Sequence, residues 1–71
     1  MNAKELKIEM LRHDDNGESL AEALGINRTT LSRKLNDPGA DFTQKEMAII
    51  IKRYSLNGDR IAEIFFANEV S

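Results

Sequence analysis

Residues 19–35, Ser-Leu-Ala-Glu-Ala-Leu-Gly-Ile-Asn-Arg-Thr-Thr-Leu-Ser-Arg-Lys-Leu, leave a short chain few ways to fold. Leu20, Ala21 and Leu24 recur at helical spacing, Gly25 interrupts the pattern, and Leu31 and Leu35 resume it one turn apart. This spacing predicts two short helices meeting at a tight turn. Two helices that cross steeply must approach closely, so a small side chain is needed where they touch, and Ala21 supplies it. Leu20, Leu24, Ile26 and Leu31 fill the angle between them. Gly25 lets the chain reverse within very few residues, with a positive φ that a Cβ would penalise.

Beyond this pair, the pattern predicts an all-α domain of five helices. The first spans about 3–12, with Asn2 and Glu5 spaced as a capping box and Leu6, Met10 and Leu11 forming an apolar stripe. Asp14-Asp15-Asn16-Gly17 breaks it. The second spans about 17–24 behind an Asn16 cap, and the third about 28–35 behind Asn27. A loop at 37–41 follows, where Pro38 disfavours helical geometry at Asp37. The fourth helix begins after Thr43, which forms a capping box with Glu46, while Phe42 is placed to staple onto Met47. Met47, Ile50, Ile51 and Tyr54 share its apolar face. The fifth starts near Gly58 behind Asn57 and carries Ile61, Ala62, Ile64, Phe65 and Phe66. Adjacent phenylalanines point about 100° apart on a helix. Either one is exposed for a partner or both close the end of the bundle.

Seventy-one residues suffice for one domain with a small core. With no Cys and a single His, neither a disulfide nor a zinc site is expected. Asp14-Asp15-Asn16-Gly17 lacks the alternating ligands and closing Glu of a calcium loop. His13 falls near a helix end, where a cation suits the dipole, and no nucleophile accompanies it. The chain is therefore expected to be neither an enzyme nor a cofactor or metal protein. It shows no apolar run long enough to span a membrane and no signal-peptide pattern at residues 1–5, so a cytoplasmic location is expected.

The net charge of −2 conceals an uneven distribution. Residues 1–25 carry a net −3 and residues 37–71 a net −2, whereas residues 26–36 carry Arg28, Arg33 and Lys34 with no acid. At about 100° per residue, Arg28, Thr29, Ser32, Arg33 and Asn36 share one polar arc of about 140°, opposite Leu31 and Leu35. Such an arc is chemically suited to duplex DNA. Arg bonds bidentately to guanine O6 and N7, and Ser or Thr reaches base edges or the thymine methyl. Free N–H groups at the helix start can donate to a phosphate.

Leu20-Ala21 together with Gly25-Ile26-Asn27-Arg28-Thr29-Thr30-Leu31-Ser32-Arg33 resembles the helix-turn-helix of the phage repressor and Cro family, the lambda/434-like or XRE-type fold. Five helices in fewer than eighty residues also match that fold. The resemblance implies a sequence-specific transcriptional regulator, commonly a homodimer on a palindromic operator, with the third helix as the recognition helix. It implies base contacts from Arg28, Thr29, Ser32 and Arg33, and backbone contacts near Asn16, Gly17, Asn27 and Asn36. This chain departs from the family in opening its second helix with Gly17 rather than a polar residue. It also has Lys34 where the family usually places an apolar side chain. The apolar position here falls to Leu35, which leaves Lys34 beside the groove and suited to a phosphate. The fifth-helix region is the expected dimer interface. The acidic net charge favours one alternative, a protein-interaction module of the same fold, antirepressor- or antitoxin-like, that does not touch DNA directly.

Overall fold

The computed structural model describes residues 1–37 and 41–66. It is all-α. The elements are α1 (Ala3–Arg12), α2 (Gly17–Leu24), α3 (Arg28–Asn36), α4 (Gln44–Arg53) and α5 (Gly58–Ile61), the last running straight into a π-helical turn, Ala62–Phe66. The expected loop at 37–41 lies outside the described residues at positions 38–40. Asp37, before Pro38, has extended backbone (φ −98°, ψ 113°). No helix among the described residues is long and apolar enough to cross a membrane.

Every helix start has a polar cap. The side chains of Asn2, Asn16, Asn27, Thr43 and Asn57 each accept the backbone N–H three residues on. Among the described residues, only Thr43 completes a capping box, with Glu46 reaching back to the Thr43 N–H at 2.8 Å. The expected box at Asn2 is half made, for two reasons. The Asn2 N–H is taken by the Ile64 carbonyl at 2.6 Å, and the Glu5 carboxylate turns to Arg60 at 2.8 Å.

The helix ends share a second device. At Gly25 (φ 73°), the Ile26 N–H donates to the Ala21 carbonyl and the Gly25 N–H to that of Glu22. Asp14 (φ 52°) and Ser55 (φ 51°) repeat this arrangement at the ends of α1 and α4, although neither is glycine. Sequence pattern marked only the first.

The five deepest side chains are Leu6, Leu20, Leu31, Ile50 and Ile64, one from each of the four long helices and one from the π-helical turn. The chain therefore folds around one core. α2 packs on both α3 and α4, and α1 packs on the π-helical turn. Leu11 departs from expectation. It is 78% exposed, because one residue beyond Met10 the helix has turned off the buried face. Phe65 and Phe66 divide, the first buried and the second 53% exposed.

Two ionic clusters at the margin of this small core brace it. Arg60 of α5 bonds to Glu5 and Glu9 of α1, and Glu9 also takes Arg12. Asp15, in the turn before α2, accepts a fork from Arg53 at 2.8 and 3.1 Å and the Tyr54 hydroxyl at 2.6 Å. The Arg53 guanidinium and these hydrogen bonds pull the Asp15 carboxyl down to about 2 against the opposing effect of burial. Burial and the same carboxylate push the Tyr54 hydroxyl up.

Candidate nucleic-acid interface

α3 is a nine-residue helix held from behind and open in front. Leu31 is buried in the same core cluster as Leu20 and Leu24, with Leu35 and Ile26 partly buried against that cluster. The left-handed turn at Gly25 sets the angle at which α3 leaves α2. The rear face of α3 is thus committed to the core, which fixes its rotation.

Its front face brings together the residues singled out from the sequence. Arg28, Thr29, Ser32, Arg33 and Asn36 line one shallow, open depression of about 460 Å³. All five are exposed. Among the described residues, the side chains of Arg28, Thr29 and Arg33 make no hydrogen bond or ion pair, so both guanidinium forks are uncommitted. The Asn36 amide donates to the Ser32 carbonyl at 2.9 Å and hydroxyl at 3.2 Å. That bond occupies one Ser32 lone pair and leaves its O–H free to donate outward.

The residues expected near a nucleic-acid backbone fall into different places. Asn16 and Asn27 are exposed, but each side-chain oxygen is occupied by its own cap, at 2.8 and 2.7 Å. Each amide NH2 remains to donate. Asn16 is further fixed because its backbone N–H donates to Asp15 at 2.9 Å. Gly17, half-buried at the start of α2, faces α3, where an added Cβ would stand 3.9 Å from Leu31 Cδ2.

Lys34 is placed differently from the expectation of a free ammonium beside the groove. Its Nζ lies 3.2 Å from Glu46 Oε1 and donates to the Asp41 carbonyl at 3.0 Å. It also sits 5.7 Å from the Phe42 ring centroid. The side chain straps α3 to the start of α4. Burial pushes the Glu46 carboxyl up, but the Thr43 N–H and the Lys34 ammonium outweigh it and hold the group below the usual range. Sequence pattern missed this pair because nothing local signals a contact across the connection between two helices.

A second depression, of about 270 Å³, flanks the first. Met10, Leu31 and Leu35 form its apolar floor, and Lys7, Gly17 and Arg28 lie on its edges. Ser32 and Asn36 line both depressions. No group of His, Asp and Glu among the described residues is placed to hold a metal ion. Comparison with known protein families, with curated proteins and with solved structures finds no match to this chain.

Proposed function

We propose that this chain binds duplex DNA sequence-specifically through the front face of α3 and regulates transcription, in the manner of the phage repressor and Cro family that its helix-turn-helix resembles. One observation carries the reading. Arg28, Thr29, Ser32 and Arg33 stand exposed on a single helix face, with both guanidinium groups unpaired among the described residues, on a helix whose opposite face is locked into the core. A helix of this diameter fits the major groove, and Arg forks match guanine edges. Gly17 and Asn27 at the starts of α2 and α3 supply backbone donors, and Asn16 its side-chain NH2, for phosphates on either side. A module with few free cations gains affinity by pairing two copies on half-sites about one helical turn apart. The exposed Phe66 at the end of the π-helical turn gives a homodimer an apolar contact. This reading places the protein in the cytoplasm, with no cofactor and no catalysis.

The net charge of −2 favours a second reading, a protein-binding module of the same shape. Titrating a labelled duplex against salt separates the two. DNA binding gives a linear fall of log affinity with log salt, at about −0.9 per neutralised phosphate. Absence of binding at low salt, with the protein folded, favours the protein module.

A further inference from the structure

We infer that Lys7 of α1, outside the helix-turn-helix, is a phosphate-binding residue that extends the α3 interface along one DNA strand. The inference rests on the DNA-binding reading above and adds a residue that nothing in the motif points to.

The basis is how the cations of this chain are distributed. Arg12, Lys34, Arg53 and Arg60 are each ion-paired to a carboxylate of the fold. Among the described residues, Lys4, Lys7, Arg28, Arg33, Lys45 and Lys52 are exposed and have no such partner, and of these Lys7, Arg28 and Arg33 line the two depressions beside α3. These three are arranged in a row. Arg28 and Arg33 line the front depression on α3, and Arg28 and Lys7 line the neighbouring one. Among the described residues, no acidic side chain lines either depression. In a chain with more acids than bases, that leaves one continuous cationic strip.

The shape of the second depression suits a sugar-phosphate chain. Its floor of Met10, Leu31 and Leu35 offers apolar contact to deoxyribose, and its Lys7 and Arg28 edges offer cations to the flanking phosphates. Gly17 forms one wall without a side chain. A Cβ there would meet Leu31 only at ordinary contact distance, so the fold does not require glycine, and its absence of bulk leaves the depression open. Lys7 sits one turn before Met10, on the edge of the buried stripe of α1. That position anchors its stem while the ammonium extends outward.

The test uses the full chain and a fluorescein-labelled 20-base-pair duplex, with binding followed by anisotropy across a series of NaCl concentrations. Lys7→Ala, Lys7→Arg and Lys4→Ala are compared with the unaltered protein, and circular dichroism verifies that each folds. Lys4 is exposed one turn earlier on α1 and lines neither depression. The expected result is that Lys7→Ala reduces the magnitude of the salt slope by about 0.9 and weakens all duplex sequences alike. Lys7→Arg restores the slope, and Lys4→Ala leaves it unchanged. A slope unaffected by Lys7→Ala, or equally reduced by Lys4→Ala, overturns the role of Lys7 while leaving DNA binding in place. If the unaltered protein does not bind duplex at low salt, both readings fall.

Discussion

Replacing Lys34 by Met separates two roles that a lysine at this position could have. The substitution keeps an unbranched side chain of similar length and removes the ammonium, with its contact to the Phe42 ring. In the structure that ammonium lies 3.2 Å from Glu46, with the two side chains only 18% and 11% exposed. An exposed ion pair contributes about 0.2–1 kcal/mol, whereas breaking a fully buried one costs about 3–5 kcal/mol. This pair lies between those limits. Glu46 keeps the Thr43 N–H as a donor, so it is not orphaned. The Asp41 carbonyl loses a donor near the surface, where water replaces it. The expected loss is therefore about 1–2 kcal/mol. In a domain of this size each kcal/mol shifts the melting temperature by about 4–8 °C. Urea and thermal melts followed by far-UV circular dichroism read this directly. A double-mutant cycle with Glu46→Gln should return a coupling of about 1 kcal/mol. The salt slope of duplex binding should stay as in the unaltered protein. If stability is unchanged and the slope falls by about 0.9, the ammonium serves a phosphate, and the strap between α3 and α4 is refuted.

Two further outcomes follow from the scaffold. The Asp15 carboxyl is lowered from 3.8 to about 2 when folded, so its stabilising contribution is complete above about pH 4 and disappears as pH falls toward 2. The contribution amounts to about 2 kcal/mol. Denaturant melts between pH 5 and 2 should show this loss, and Asp15→Asn should flatten it; an unchanged acid profile in the variant would contradict the assignment. Ser55 has φ 51°, a conformation that penalises a Cβ and frees glycine of that penalty. Ser55→Gly should therefore stabilise the fold by about 0.5 kcal/mol, read as a higher urea midpoint, and a lower midpoint would argue against strain there.

What the sequence made legible was mostly local. A cap is a side chain bonding three residues along its own chain, so Asn16, Asn27, Thr43 and Asn57 announce helix starts without knowledge of the fold. The front face of α3 was equally legible, because helical periodicity alone puts Arg28, Thr29, Ser32, Arg33 and Asn36 on one arc that excludes Leu31. Contacts between distant residues were not. Lys34 looked like a spare cation because its partner Glu46 lies across a connection of unknown path. The Asp15–Arg53–Tyr54 cluster joins positions nearly forty residues apart, and the acidic turn containing Asp15 appeared only as a helix breaker. Glu9 is buried on an otherwise apolar stripe, where Arg60 reaches it from α5 and Arg12 from its own helix. The left-handed residues Asp14 and Ser55 went unrecognised because they lack the glycine that made the Gly25 turn plain. Lys7 was passed over for a related reason: it lines the same depression as Arg28 only once the chain has folded.

Selection of bound duplexes from a random-sequence pool bears most directly on the claim that the front of α3 reads bases. The unaltered protein should enrich a motif of two inverted half-sites with centres about 10 base pairs apart. With Arg33→Ala, preference at one position in each half-site should relax, at about 1–3 kcal/mol on the enriched site. A pool that emerges unenriched, or an Arg33→Ala loss equal on every sequence, would contradict base reading by this helix.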